Sequence, residues 1–143
     1  MNAQPDKISE VKKWIDKAEQ DIAAAKYLME SSHIGLTEIA SFHSQQCAEK
    51  YFKALLIFYD VHFPKTHDLR VLFQLVQKHC EFGLKLTDII PLNRYVIEGR
   101  YPGDWEPISE EEALAAIKIA SSVRDGIRLI LQNEQNELFN NLS

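Results

Sequence analysis

The chain has 143 residues, the length of one ordinary domain. Hydrophobic residues make up 45% and charged residues 26%, a balance that can bury a core and excludes a disordered segment. The formal net charge of −5 argues against a dedicated nucleic-acid binder, whose affinity rests on a basic excess that neutralises phosphates.

Five glycines and five prolines are too few for a turn-rich all-β domain. Cys47 and Cys80 form no disulfide framework and fit a reducing, cytoplasmic setting. No long apolar run reads as a membrane span, and the first residues lack the build of a signal peptide.

Ile8, Val11, Ile15, Ala18, Ile22, Ala25 and Met29 recur at steps of three and four, widened by Trp14 and Leu28. That spacing predicts a long first helix lying along its neighbours at a shallow angle. Asp6 is its predicted N-cap and Gly35 the point of reversal. A second helix is predicted from Thr37 to Tyr59. It is apolar nearly all round, the mark of a central helix, apart from an arc of about 140° that carries Gln45, Gln46, Glu49, Lys50 and Lys53.

Thr66 is the predicted cap of a third helix bearing Leu69, Leu72, Phe73, Leu75 and Val76, with Asp68 in its first turn. A fourth helix is predicted from Asp88, with Pro91 tolerated near its start, Leu92, Tyr95 and Val96 facing inward and Gly99 as its stop. Residues 100–107 read as a loop. Ser109 and Glu112 then form a capping box for a last helix with Ala113, Ala116, Ile117, Ala120, Val123, Ile127, Ile130 and Leu131 inward. The expected fold is all-α, an antiparallel up-and-down bundle of roughly four to five helices. It forms one domain over residues 1–143, with flexible ends at 1–6 and 134–143.

The polar arc has two readings: a groove that meets an anion, or a solvated stripe in which Glu49 and Lys53 form an ordinary i,i+4 pair. His67 beside Asp68 could serve acid–base work, but adjacent helical residues point about 100° apart, so the pair instead shapes a helix entrance. The histidines are His33, His43, His62, His67 and His79. Neither they nor the cysteines have metal-ligand spacing, and glycine-rich phosphate loops and nucleophile elbows are missing. No metal or cofactor is expected. Tyr101 and Trp105 either stack on a base or fold back over the end of the bundle.

Three segments carry a resemblance. Residues 42–56, FHSQQCAEKYFKALL, are followed by Lys65-Thr66-His67-Asp68-Leu69 and then by Arg100-Tyr101-Pro102, all preceded by a helix with Trp14 and Asp21. In that order they resemble the HEPN family, the higher eukaryotes and prokaryotes nucleotide-binding domain. The resemblance implies a helical bundle, often a homodimer. Many members partner a minimal nucleotidyltransferase in toxin–antitoxin pairs, and others are metal-independent ribonucleases with an Arg followed after four to six residues by a His. That motif is absent here: no histidine follows Arg100, and eight residues separate Arg70 from His79.

The resemblance therefore implies a noncatalytic module that contacts an ATP- or AMP-like nucleotide or the nucleotidyltransferase. Gln46, Lys50, Lys53, His67, Arg100 and Tyr101 are the expected ligand-binding residues, lining one groove. Alternatively, Gln46, His67 and Arg100 form a structural hydrogen-bond network. A ribonuclease with a displaced active site and a purely structural dimer or adaptor are the other functional alternatives.

Overall fold

The apolar repeat of the first segment becomes α1, Pro5–Glu30, in a computed structural model that describes residues 5–31, 35–97, 99–104 and 106–134. Residues 1–4 and 135–143 of the expected flexible ends, together with His33 and Trp105, lie outside the described residues. Ile8, Val11, Ile15, Ala18, Ile22 and Ala25 are buried along one seam, and Trp14 packs at its edge. Asp6 does not cap this helix. The helix begins at Pro5, whose fixed φ suits a first turn, and Asp6 lies inside that turn, where its charge meets the helix dipole. Gly35, at φ +94°, supplies the left-handed backbone that turns the chain into α2, Thr37–Phe58.

Helix α2 is the central rod, with Cys47, Ala48, Tyr51, Phe52, Ala54, Leu55, Leu56 and Phe58 all buried. Lys7 pairs with Asp60, Glu19 with Tyr51 and Asp21 with His43, so numbers rise along α1 as they fall along α2 and the two are antiparallel. The last helix, α5, is Glu110–Glu134. At its entrance the Ile108 carbonyl accepts the Thr37 hydroxyl at 2.8 Å, and further along Arg128 donates to Tyr51 Oη at 3.1 Å. Helix α5 therefore runs with α2 and against α1, and the long helices form an all-α up-and-down bundle.

The link between α2 and α3, Leu69–Gln77, is not a simple reversal. Residues 59–68 run back along α2 until the His67 carbonyl accepts Gln45 Nε2 at 3.1 Å. From there α3 runs beside α2 in the same direction, bringing Phe73 to Phe52. Asp68, not Thr66, caps it. The Asp68 backbone is extended, and its carboxylate accepts the Arg70 N–H at 2.9 Å, while Thr66 Oγ1 braces the preceding turn by accepting the Asp68 N–H at 3.0 Å.

The predicted fourth helix is divided. Helix α4 is only Leu86–Ile89, with Asp88 Oδ2 accepting the Lys85 N–H at 2.9 Å, and a 3-10 turn follows at Ile90–Tyr95. Pro91 has no N–H to donate and its ring crowds the preceding turn, so the chain tightens rather than continuing as α-helix. Leu92 and Tyr95 are buried and Val96 is half-buried. Asn93 locks this turn to α3 by accepting the Leu69 N–H and donating to Asp68, both at 2.9 Å. The Ser109–Glu112 capping box forms as expected, with Glu112 N–H to Ser109 Oγ at 3.0 Å and Ser109 N–H to Glu112 Oε1 at 3.4 Å. Among the described residues no helix is long and apolar enough to cross a membrane.

Two contacts bind the elements together. Phe52, Phe73 and Phe82 meet edge to face, with centroids 5.6–6.1 Å apart. Helix α5 passes so close that a Cβ at Gly126 would lie 3.0 Å from the Phe82 ring. On the other side of α2, Glu19 takes Arg124 Nε at 2.7 Å and the Tyr51 hydroxyl at 2.6 Å, with Arg128 at 3.3 Å. Burial pushes the Glu19 carboxyl up, but hydrogen bonds from Arg124 and Tyr51 and the charges of both arginines outweigh it and hold it below the usual carboxylate range.

Phe73→Ala is expected to lower stability by about 3–5 kcal/mol, read as a lower urea midpoint with the helical circular dichroism kept below the transition. Because the folded pKa of Glu19 lies below its unfolded value, its bridge adds stability above the ordinary carboxylate range and loses it as pH falls through the folded value. Glu19→Gln should therefore be less stable than wild type at neutral pH, with the gap closing as pH falls below the ordinary carboxylate range, in denaturation curves recorded across that range.

Candidate functional site

The polar arc of α2 faces protein, not bulk water. Gln45, Glu49 and Lys53 are buried, and Gln46 and Lys50 are half-buried. Glu49 is the hub. Its Oε1 accepts Gln45 Nε2 and Gln46 Nε2, both at 3.2 Å, and His67 Nδ1 at 2.8 Å, while Oε2 accepts Lys53 Nζ at 2.9 Å. Gln46 also donates to Gln45 Oε1 at 2.7 Å. A carboxylate only accepts, so the bond fixes the proton of His67 on Nδ1. The Lys53 ammonium lies between two rings, 5.8 Å from the Trp14 centroid and 5.9 Å from that of Phe63. A buried pair held this way differs from the exposed i,i+4 bridge that spacing alone describes.

Lys50 turns to the neighbouring edge of α2. Its Nζ donates to Asp21 Oδ2 at 2.6 Å, and Asp21 Oδ1 accepts His43 Nδ1 at 2.8 Å. One largely buried carboxylate on α1 therefore orients an imidazole and an ammonium that are each partly exposed. The same logic fixes His43 with its proton on Nδ1.

Arg100 and Tyr101 belong to a different place. Arg100 lines a pocket of about 300 Å³ with Glu38, Arg94, Tyr95, Ile97, Asp104, Glu106 and Ile108, at the end of the bundle where α2 and α5 begin. None of Gln46, Lys50, Lys53 or His67 lines it. Glu38 precedes Glu49 on α2 by eleven positions, about 16 Å of helix. Arg94 is bound to Glu112 at 2.8 Å. Arg100 makes no side-chain hydrogen bond or ion pair among the described residues. Tyr101 is 78% exposed, and its N–H donates to Asp104 at 3.0 Å. Gln46, Lys53 and His67 are thus brought together, Lys50 stands beside them on its own carboxylate, and Arg100 with Tyr101 is set apart. Among the described residues no group of three or more His, Cys, Asp or Glu could hold a metal ion.

These contacts tie together two of the three segments that stand out in the sequence, residues 42–56 and 65–69, and the family model for the HEPN domain matches residues 11–130. The chain belongs to the HEPN family. It is 31% identical over 143 residues, covering 89% of this chain and 91% of the other, to a protein of Methanocaldococcus jannaschii named "Putative toxin MJ1304". No solved structure matches the chain at a significant level.

In this HEPN domain, sequence reasoning leaves Asp21 and His43 outside the candidate residues. One signal for them exists: His43, Gln46 and Lys50 sit at i, i+3 and i+7 and so share one edge of α2. The carboxylate that joins them comes from α1, and only the register of α1 on α2 reveals it.

Glu49→Gln leaves the Lys53 ammonium buried without its counter-charge and should cost about 3–5 kcal/mol. The double variant Glu49→Gln/Lys53→Met should recover much of that loss. Chemical denaturation of the wild type and both variants measures the difference.

Proposed function

We propose that this HEPN domain is a noncatalytic module of a toxin–antitoxin pair. It works in the cytoplasm as a homodimer and binds an ATP- or AMP-like nucleotide or the minimal nucleotidyltransferase that partners it. The observation that carries this reading is the pocket at Arg100, whose lining has a guanidinium without an ion pair among the described residues but no imidazole. A free guanidinium suits a phosphate. Without a histidine beside it, the pair that HEPN ribonucleases use for RNA cleavage is missing, and no histidine follows Arg100 in the sequence. Likeness to the protein named "Putative toxin MJ1304" supports the toxin–antitoxin setting, and the net charge of −5 supports weak binding to nucleic acid. Lys50, partly exposed on Asp21, is the second cation that a phosphate could reach.

One observation favours a second reading, a ribonuclease with a displaced active site. His43 and His67 are each oriented by a carboxylate through Nδ1, the arrangement that prepares the other ring nitrogen for proton transfer. Two measurements separate the readings. Calorimetry of the full chain with ATP and AMP should show saturable binding that weakens at least tenfold in Arg100→Ala, or in Lys50→Ala where the phosphate sits on that edge of α2 instead; binding untouched by both changes rejects the proposed ligand role. Labelled RNA should stay intact. Cleavage that disappears in His43→Ala or His67→Ala would put the ribonuclease in its place, and neither binding nor cleavage would leave a structural adaptor.

A further inference from the structure

Glu10, Lys13, Trp14 and Lys17 stand at i, i+3, i+4 and i+7 of α1 and share one face. With Lys50 from α2 they line a shallow depression of about 240 Å³. The rim differs from the polar network behind it. Lys53 and Lys50 are bound to Glu49 and Asp21, whereas Lys13 and Lys17, both exposed, have no hydrogen bond or ion pair among the described residues. The floor is preorganised, because Trp14 packs against the core with the Lys53 ammonium near its ring, and Lys50 is tethered by a 2.6 Å bond. A fixed aromatic floor and a held ammonium lower the ordering cost of any ligand that lands there.

We infer that this face of α1 docks an acidic peptide segment of a partner protein, with one apolar or aromatic side chain over Trp14 and flanking carboxylates on Lys13 and Lys17. The depression has room for about one large side chain, and the two ammonium groups of Lys13 and Lys17 outnumber the one carboxylate of Glu10 in its lining, a local positive sign on a chain of net charge −5 that an acidic strand matches. A nucleic-acid strand fits less well. Lys13 and Lys17 are four positions apart, about 6 Å of helix, so they reach only one or two phosphates of a strand. Two or three neutralised phosphates give little affinity at physiological salt, and a bare phosphate chain leaves the apolar floor at Trp14 unfilled. The inference goes beyond the nucleotide reading and shares only Lys50 with it.

The test is an NMR titration of the ¹⁵N-labelled full chain. The probe is a blocked pentapeptide with two glutamates on either side of one phenylalanine. Saturable shifts are expected at the Trp14 indole and at the amides of Lys13, Lys17 and Lys50, with the indole assigned by its loss in Trp14→Phe. The double variant Lys13→Glu/Lys17→Glu should unfold at the wild-type temperature and bind at least tenfold more weakly. Alanine in place of the peptide's phenylalanine should weaken binding at least threefold. Failure to shift these resonances, equal binding by the lysine variant, or indifference to the phenylalanine overturns the inference. So does a uridine hexanucleotide that binds this face more tightly than the peptide. If the charge reversal disturbs folding, Lys13→Gln/Lys17→Gln carries the same comparison.

Discussion

A carboxylate buried inside a helical bundle must be compensated or it will not stay charged, and Glu49 meets that condition with four donors from two stretches of chain. Lys53 and the two glutamines come from its own helix, and His67 comes from the segment that returns along α2. The requirement has a topological effect. Residues 59–68 must run back far enough to deliver His67, and that return lets α3 begin beside the middle of α2 and carry Phe73 to Phe52. Asp68 then caps α3, and Asn93 reads the same carboxylate from the 3-10 turn. One buried charge thus helps set the start of α3 and, through Asn93, the position of the chain that leads to Arg100.

Three acidic residues, Glu19, Asp21 and Glu49, divide the polar contacts of α1 and α2 among them. Glu19 gathers Tyr51 and the arginines of α5, Asp21 gathers His43 and Lys50, and Glu49 gathers Lys53 and His67. Each uses both carboxylate oxygens or several donors on one, so the cations of the interior are held at fixed positions. Burial alone would favour neutral forms; the paired geometry opposes it, as at Glu19, and raises the Arg124 guanidinium further through its hydrogen bond to that carboxylate. The two sides of α2 serve different ends. The Glu19 side fastens three helices together, while the other side leaves imidazoles and an ammonium in reach of the surface.

Much of this was legible in the sequence, because apolar spacing reports directly on burial. The α1 seam, the all-round apolar α2 and the Ser109–Glu112 capping box have the positions their residues require. The segment order also pointed to the HEPN family, which the family model bears out. The misreadings share one cause, which is competition between neighbours for the same backbone role. Asp6 loses the cap to a helix that starts at Pro5, Asp68 takes the cap from Thr66, and Pro91 cuts a predicted helix into a short α-helix and a 3-10 turn. Hydrophobic period carries no information on such local contests. Nor does it give the register between helices, which decides that Asp21 meets His43 and Lys50 and that Arg100 opens elsewhere.

A lysine on an otherwise buried helix invites a reading as a ligand group, yet its charge acts outward only to the extent that it is not already matched. Coulomb attraction at hydrogen-bond distance in a partly buried site is several times stronger than across open solvent, so Lys53 on Glu49 and Lys50 on Asp21 present largely cancelled charge to an approaching anion. Arg100, Lys13 and Lys17 have no such partner among the described residues, and screening restricts their reach to roughly 8–10 Å at physiological salt. Outward chemistry should therefore be sought where unmatched cations meet a shaped surface, at the Arg100 pocket and at the Trp14 face. The matched ones hold that surface in shape. On this view the best-marked segment of the HEPN sequence acts mainly as the frame that positions less conspicuous residues, and it leaves some of its polar side chains, Lys50 and His43 among them, partly exposed.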